Sequence, residues 1–600
     1  MPKRFFKFFK VNPILVLIIF VATVLRLIVL DKVPPSLNWD EVSHGYNAFS
    51  ILKTGKDEWG QTLPVIFKAY GDYKLPVYIY LAAISESFFG LNAFAVRLPS
   101  VLAGIGTVIF TYFLVLELLS KIKNQSLIAS GKLLATISAL LVATEPWSLF
   151  LSRGAFEANL ALFFIVAGVY FFLKGISQTT NYLLLASVFL GLSVWTYNSA
   201  RIFVPLLIVT LFLVFKKEVL QVFRKNKKLS TYNSGQRPVV LWTILLTTFF
   251  FLPMFWQLLN PIGQARYGKL SILDEGAIGQ IIEARQNSSY SPFVTRLIYN
   301  RPTYFIQRFV FNWVSHFTYY FLFISGGNHY QFSVPEYGLL HIVNLPFFFL
   351  GILLLLKKAL KGNSVAIFLL SWLFLAPIPD SLTRDAPHVL RSITMLPAPM
   401  ILSSLGLVSF VVWSEKFVGE RIMERYSFKG FPRKKALYLA YILVIIILAN
   451  NYLTKYFGEY KKNYSWSWQY GYKEAVDYTK DHYDDYDKVI ITKKYGEPHE
   501  FFLFYWPWDP RKYKEDPNLN RFYQSNWYWI DRFDKFYFVN DWDIPKEEWQ
   551  SFKLESGEEF NCEDIKCLLI TSPTNFPKRW NKLETITFLD GNPAFEIYEN

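Results

Sequence analysis

The stretch NWDEVSHGYNAFSI, residues 38–51, directly follows the first apolar segment of the chain. Its adjacent carboxylates, Asp40 and Glu41, open a predicted amphipathic helix that lies against a membrane instead of crossing it. Spacings of three and four residues place Asp40, His44 and Asn47 on one face of this helix. Unpaired backbone N–H groups and the helix dipole favour a negative charge at a helix start, so Asp40 is expected to be ionised. The simpler alternative is that Asp40 only caps the helix.

The composition around this stretch is that of a polytopic membrane protein. Of 600 residues, 52% are hydrophobic and 19% aromatic, which exceeds the content of an ordinary soluble domain. The formal net charge is +15, but the basic residues cluster between apolar runs, so they indicate membrane topology and argue against nucleic-acid binding. The N-terminal apolar run lacks a small-residue cleavage site, which predicts an uncleaved anchor. Two cysteines, Cys562 and Cys567, fit no metal-ligand pattern and can pair under oxidising conditions.

Apolar runs with the length and composition of bilayer spans occur about eleven times in the chain. They lie at residues 13–30, 97–119, 130–149, 156–173, 182–198, 202–215, 239–257, 337–356, 364–379, 391–413 and 436–457. A further run at 75–92 is ambiguous, and the distribution of Lys and Arg decides it. If this run does not cross, the basic N-terminus and the later basic clusters share one side. We therefore predict a second juxtamembrane helix at 75–92, a cytoplasmic N-terminus and a multi-pass location in the cell (plasma or inner) membrane.

This topology predicts two domains, a transmembrane domain over residues 1–457 and a small extracytoplasmic α/β domain over 458–600. Besides the tail, it places loops 31–96, 150–155, 198–201, 258–336 and 380–390 on the outer face. The long fourth loop includes an amphipathic stretch at 303–317. In the tail, alternating apolar residues predict strands at 487–492, 535–541 and 566–571, with helices at about 470–482 and 497–506.

Ionisable residues from these outer loops are unusual for a membrane boundary, where charge is expensive unless it is paired or functional. The expected cations are Lys74, Arg97, Arg153, Arg201, His388 and Arg391, and the acids beside Asp40 and Glu41 are Asp72, Glu157 and Asp385. A cationic cradle with one or two carboxylates suits a phosphate-bearing substrate and a hydroxyl or amine that needs a base. Each residue also has a structural alternative: Lys74 and Arg97 can snorkel to lipid headgroups, Glu157 can pair with Arg153, and His388 and Arg391 can cap a span. His44 is a further site candidate or a plain helix-surface residue.

Four motifs together resemble a known family. They are NWDEVSHGYNA (38–48), YKLPVYIY (73–80), RLPS (97–100) and SRxAxE (152–157). They are similar to motifs of the GT-C glycosyltransferases that use lipid-phosphate sugars, in particular the superfamily of protein O-mannosyltransferases and aminoarabinose transferases (families 39 and 83). The first motif is the most specific. The resemblance extends over residues 1 to about 215 and is loose thereafter.

The resemblance implies a GT-C membrane fold and assigns roles to matching positions. Asp40 corresponds to the general base, Glu41 to its acidic neighbour, and Lys74 to the lysine that contacts the donor phosphate in the aminoarabinose transferases. Where those enzymes have an acidic residue just before the lysine, this chain has Tyr73, and Asp72 is displaced by one position. A divalent metal is therefore an open question. The tail also departs from the protein mannosyltransferases, which have a different domain in the long loop.

Residues and resemblance together predict an inverting glycosyltransferase. Its donor is a sugar on a polyprenyl phosphate, its acceptor a protein, lipid or glycan, and it works among membrane lipids. In this prediction Trp466, Trp468, Trp506 and Trp508 are sugar-stacking platforms in the tail. One alternative is an oligosaccharyl transferase or glycan ligase with a lipid-diphosphate donor. The other is a non-enzymatic transporter or sensor, which predicts ionisable residues near mid-bilayer and repeat symmetry.

Overall fold

The structure, a computed structural model, describes the backbone of residues 12–71, 73–122, 125–229, 237–417 and 433–600. The chain forms two compact units. We call the first the helical unit; it contains the described residues of 1–28, 100–152 and 157–453. The second, the mixed unit, contains those of 29–99, 153–156 and 454–600. The first predicted outer loop therefore folds with the C-terminal tail and not with the helices on either side of it.

The helical unit consists of apolar helices and short connecting helices. They are Pro13–Leu27, Gln125–Thr144, Pro146–Leu151, Glu157–Ser177, Asn181–Val194, Asn198–Val214, Lys216–Leu229, Arg237–Leu258, Pro261–Leu270, Glu275–Gln286, Pro292–Ile298, Arg301–Ser315, Leu345–Ala359, Ser364–Leu375, Ile378–Ser381 and Ala398–Phe417. Short turns of helix lie at Tyr320–Ser325, Ile342–Asn344 and Ile393–Met395. Most of helices Ala93–Ser120 and Arg433–Lys455 also belongs to this unit.

Each of the eleven predicted spans contains a helix. Within the described ranges, 7 helical segments are long and apolar enough to cross a membrane, or up to 8 if one bent pair counts as a single span. They are Ala93–Ser120, Glu157–Ser177, Val239–Leu258, Ile342–Ala359, Ser364–Ser381, Ile393–Glu415 and Lys434–Asn463, and the bent pair is Asn198–Val214 with Lys216–Val222. The chain is thus a polytopic α-helical membrane protein, as predicted.

The sequence predicts about eleven spans and the described part of the structure has seven, because some helices end or bend within an apolar run. The average hydrophobicity of a run does not show such breaks. The predicted span at 130–149 is interrupted at Glu145, because Pro146 starts a separate short helix. The span at 202–215 bends by 82° before Lys216. The helices in 13–30 and 182–198 end early, at Leu27 and Val194. Helix Pro76–Phe89, within the ambiguous run, has 14 residues, and at about 1.5 Å per residue it is shorter than a hydrocarbon core of about 30 Å.

The mixed unit contains helices and eleven strands. The helices are Trp39–Thr54, Pro76–Phe89, Lys461–Asn463, Tyr472–Asp481, Pro498–Tyr505 and Pro510–Glu515, with short turns of helix at Tyr456–Tyr460, Ser465–Trp468, Tyr483–Asp485 and Asp541–Asp543. The strands are β1 Phe67–Lys68, β2 Tyr73–Lys74, β3 Lys488–Thr492, β4 Asn520–Gln524, β5 Trp527–Phe533, β6 Phe536–Val539, β7 Phe552–Lys553, β8 Glu559–Phe560, β9 Cys567–Thr571, β10 Asn581–Thr587 and β11 Pro593–Glu599.

Seven strands form one sheet in the order β10-β11-β9-β3-β6-β5-β4, and β1–β2 and β7–β8 form small hairpins. The central strand β3 runs parallel to both β6 and β9, and the outer pairs are antiparallel. Buried Ile490, Val539 and Leu569 pack in the core on this sheet. The three strands predicted in the tail are β3, β6 and β9, and both predicted helices are present, so this α/β region is confirmed. Cys562 and Cys567 form a disulfide.

Candidate active site

Helix Trp39–Thr54 is fixed at its start by Asn38 and not by Asp40. The Asn38 side chain accepts the backbone N–H of Glu41 at 3.0 Å, and the Glu41 carboxylate accepts the backbone N–H of Asn38 at 3.1 Å. This reciprocal arrangement is a capping box. The alternative that Asp40 only caps the helix is therefore wrong. Asp40 is the second helical residue, and its carboxylate is free for other partners.

The Asp40 carboxylate has one occupied and one open oxygen. Its Oδ1 accepts a hydrogen bond from the Lys74 ammonium at 2.6 Å and another from the Tyr70 hydroxyl at 2.5 Å. For Oδ2 there is no hydrogen-bond partner within the part of the chain that the structure describes. The Asp40 side chain is 38% exposed, whereas that of Lys74 is 8% exposed. Hairpin β1–β2, with Lys68 paired to Tyr73, places Tyr70 and Lys74 on this carboxylate.

The electrostatic surroundings keep Asp40 ionised. Burial raises the pKa of the Asp40 carboxyl, but the charge and hydrogen bond of Lys74, the Tyr70 hydroxyl and His44 together hold that pKa well below its usual range. His44 is buried, and its ring packs 5.3 Å from that of Tyr78. The arrangement is a fixed carboxylate that can accept a proton at Oδ2.

Glu41 and Arg97 form a buried pair that has no room for a substrate. The Arg97 guanidinium donates to both Glu41 oxygens, at 2.9 and 3.0 Å, and both side chains are essentially unexposed. Glu41 Oε1 also accepts the backbone N–H of Ala155 at 2.8 Å. The remaining Arg97 donors bind the backbone carbonyls of Leu30, Pro34 and Ser36. This geometry argues against the predictions of a catalytic Glu41 and a phosphate-binding Arg97, because every polar atom of the pair is already engaged.

Arg153 is also built into the interior of the mixed unit. Its side chain is fully buried, it donates to the Val33 carbonyl at 2.7 Å, and its guanidinium lies 4.9 Å from the ring centre of Phe457 and 5.7 Å from that of Tyr456. Enclosure by a carbonyl and two rings argues against the prediction that Arg153 contacts a donor phosphate. Trp468 is likewise fully buried, so it is not a sugar-stacking surface.

Arg201 and Arg391 line one cavity in the helical unit. Its volume is about 110 Å³, and its polar lining includes Tyr197, Asn198 and Tyr267. Arg201 is 3% exposed, and its guanidinium donates to the Val194 carbonyl at 3.2 Å and to the Gln257 side-chain oxygen. Among the described residues no carboxylate forms an ion pair with Arg201. A buried cation with neutral partners beside a cavity is suited to an anionic ligand.

Arg391 is positioned by a second polar cluster. Its guanidinium donates to the Thr383 hydroxyl at 2.9 Å and lies 3.8 Å from Asp380. Asp380 is fully buried and also receives His316 Nε2 at 2.7 Å and the backbone N–H of His388 at 2.6 Å. His388 thus supports the loop through its backbone. Sequence reasoning missed His316 and Asp380, although His316 lies in the amphipathic stretch noted at 303–317.

The other predicted site residues have less distinctive positions. Asp385 is exposed and lies 3.6 Å from Arg391 and 3.7 Å from Arg384. Glu157 is the half-buried first residue of helix Glu157–Ser177. Asp72 lies outside the described residues. Sequence reasoning missed Tyr70, whose only sequence signal is its position four residues before Lys74.

The described side chains do not offer a metal site. Among them no three His, Cys, Asp or Glu residues are grouped to hold a metal ion. The carboxylates of Asp40 and Glu41 are bound to Lys74 and Arg97.

This chain is similar to known glycosyltransferases. Residues 73–233 match the family model of dolichyl-phosphate-mannose-protein mannosyltransferases, which confirms the resemblance seen in the sequence. No curated protein matches the chain. Among solved structures, the chain is similar to an oligosaccharyltransferase from Archaeoglobus fulgidus, in complex with an inhibitory peptide and a dolichol-phosphate, at 15% identity and a TM-score of 0.48. The match covers 82% of this chain, which spans 63% of the length of that protein.

ArnT from Cupriavidus metallidurans, bound to undecaprenyl phosphate, matches over 97% of both chains at 11% identity and a TM-score of 0.47. In its apo state the identity is 10% with the same TM-score.

Proposed function

We propose that this protein transfers a sugar from a polyprenyl-phosphate donor to a hydroxyl or amine by an inverting single displacement, with Asp40 as the general base. The observation that carries this proposal is the asymmetry of the Asp40 carboxylate. Lys74 and Tyr70 hold Oδ1, while Oδ2 is open on a side chain that is 38% exposed. A fixed, ionised carboxylate with one available oxygen has the form that a general base requires.

The proposed reaction needs one proton acceptor. The acceptor oxygen or nitrogen attacks the anomeric carbon, its proton passes to Oδ2 of Asp40, and the bond from that carbon to the phosphate oxygen breaks. The phosphate leaves with the bonding electron pair and needs no protonation near neutral pH. The second carboxylate that glycosidases use is therefore unnecessary. This is consistent with Glu41, whose oxygens are both engaged elsewhere.

Lys74 links the base to the leaving group in this mechanism. Its ammonium lies 2.6 Å from Asp40 Oδ1, and this charge lowers the pKa of Asp40 and so weakens it as a base. When a donor phosphate attracts the Lys74 ammonium, the positive charge of Lys74 is shared between the phosphate and Asp40. The pKa of Asp40 then rises, and Asp40 becomes more basic. Donor binding would thus activate the base, and Lys74 would neutralise charge that develops on the phosphate.

The cavity with Arg201 and Arg391 supports a phosphate ligand in the helical unit. Arg201 has neutral partners only, and Arg391 is held at the cavity by Thr383 and Asp380. Preorganised cations of this kind bind phosphate strongly where water is largely excluded. The acceptor is a protein, lipid or glycan on the extracytoplasmic side of the cell membrane, following the distribution of basic residues.

The direct test is transfer by the purified full-length protein in liposomes. We expect label from a polyprenyl-phosphate hexose or pentose to reach an acceptor in an extract of the cell envelope, with inversion at the anomeric carbon. Parallel reactions use a polyprenyl-diphosphate oligosaccharide, each with and without a chelator. Transfer only from the diphosphate donor would replace the proposal with an oligosaccharyl transferase. Uptake of label without any product would replace it with a transporter.

Arg201→Gln and Arg391→Gln are each expected to raise the KM for the phospholipid donor by about 10-fold or more, because a charge-assisted contact to phosphate is lost. Initial rates over a donor titration give this value. The control is Arg384→Gln, since Arg384 is 51% exposed and its ion pairs within the described ranges, with Asp274 and Asp385, lie at the surface. An unchanged donor KM in both variants would remove this cavity from the proposal.

A further inference from the structure

The β4–β5 hairpin of the C-terminal sheet contacts the segment that holds Tyr70. Within the mixed unit, the Tyr528 backbone N–H donates to the Tyr70 carbonyl at 2.6 Å. The rings of Trp527 and Tyr70 lie 5.6 Å apart at an angle of 31°. The hydroxyls of Tyr73 and Tyr528 lie 3.1 Å apart. One short hairpin thus contacts both Tyr70 and Tyr73.

The contact at Gly71 shows how closely the hairpin approaches. A Cβ atom added to Gly71 would lie 2.3 Å from the indole ring of Trp527, a distance that real Cβ atoms essentially never show. The Trp527 ring therefore lies directly on the backbone of Gly71. A Cβ atom at position 71 would have to displace this ring, so the glycine at 71 and the indole at 527 are matched in shape.

Trp527 is itself held in place. Its indole N–H donates to Glu497 at 2.7 Å. Ser525 and Asn526, which connect β4 to β5, have φ angles of 52° and 60°. Two left-handed residues in succession form the tight turn that joins neighbouring antiparallel strands with the correct twist. The tight turn and the hydrogen bond to Glu497 therefore both restrain the position of the Trp527 indole.

We infer that the β4–β5 hairpin is a positioning element of the active site, in which Trp527 orients Tyr70 and thereby the Asp40 carboxylate. The inference rests on the proposed function, in which Asp40 is the base. Trp527 touches no reacting atom in this scheme and acts through Tyr70 and the backbone at Gly71. The C-terminal α/β region then contributes to the catalytic step and does not serve acceptor binding alone.

The inference predicts a specific change in pH dependence. The titratable groups that act on Asp40 are Lys74, Tyr70 and His44, and the hydrogen bond from Tyr70 lowers the pKa of Asp40. A displaced Tyr70 loses that hydrogen bond, so the pKa of Asp40 rises. Since activity requires ionised Asp40, it is then lost at a higher pH as the solution is acidified.

Trp527→Leu is expected to lower kcat by about 10-fold and to move the acidic limb of the kcat profile upward by about half a pH unit or more. Tyr70→Phe should give the same upward shift, and the double variant should add little to either single change. Gly71→Ala displaces the indole from the opposite side and provides a second test if Trp527→Leu folds poorly. Hydrogen exchange of the amides in 67–74 should speed up in Trp527→Leu.

The matched control is Trp549→Leu. Trp549 is 71% exposed and lies in the same unit, outside the β4–β5 hairpin. This variant should keep the wild-type acidic limb and the wild-type exchange in 67–74. Equal shifts in the two tryptophan variants, or additive effects of Trp527→Leu and Tyr70→Phe, would overturn the inference. Wild-type protein without any transfer, or full activity of Asp40→Asn, would instead overturn the proposed function.

Discussion

Asp40→Asn is expected to reduce sugar transfer by about 10²-fold or more while leaving donor binding nearly unchanged. Asparagine keeps the size of the side chain and an oxygen for Lys74 and Tyr70, but it has no carboxylate to take the acceptor proton. The effect should therefore fall on kcat and not on the donor KM. The measurement is the initial transfer rate at saturating donor, together with equilibrium binding of the labelled polyprenyl-phosphate sugar.

The control for Asp40 is Asp31→Asn. Asp31 is an exposed acid in the same segment of the mixed unit and forms no ion pair with any residue that the structure describes, so wild-type turnover is expected. If Asp40→Asn retained more than about a tenth of wild-type turnover, Asp40 would not be the base, since general-base contributions are larger than that. A large rise in donor KM with unchanged kcat would also contradict the role.

Arg97→Met is expected to destabilise the protein by about 3–5 kcal/mol, because it leaves the buried Glu41 carboxylate without its cation. Arg97 has no exposed surface and also supports the carbonyls of Leu30, Pro34 and Ser36. These contacts hold the turn that precedes helix Trp39–Thr54, which carries Asp40. The measurement is the midpoint of thermal unfolding in detergent, and the expected change is a large decrease.

Two comparisons separate this structural role from phosphate binding. The double variant Glu41→Gln/Arg97→Met removes both buried charges and should recover part of the lost stability. Arg384→Met, at an exposed surface pair, should leave the midpoint within experimental error. An Arg97→Met protein with wild-type stability and a raised donor KM would restore the phosphate-binding role that the burial of Arg97 argues against.

The errors of the sequence-based prediction share one cause. Arg97, Arg153 and Glu41 look like site residues in sequence because charge near a membrane boundary is expensive. Two opposite charges that are buried together as an ion pair also offset this energetic cost. The sequence does not show that Glu41 and Arg97 form such a pair across 56 positions. In contrast, the sequence predicts both Asp40 and Lys74 as site residues, and in the structure Lys74 Nζ lies 2.6 Å from Asp40 Oδ1.

The sequence by itself determined the apolar helices, the main strands of the α/β region and the acid at position 40. These features follow from local patterns, namely runs of apolar residues, period-two alternation and a carboxylate pair after a span. Tertiary structure alone decided which cations line a cavity, that Tyr70 shares Oδ1 with Lys74, and that a hairpin distant in sequence packs Trp527 on Gly71. Side chains far apart in the chain meet only when the elements pack, and hydrogen bonding and desolvation then fix which charges are satisfied and which stay open.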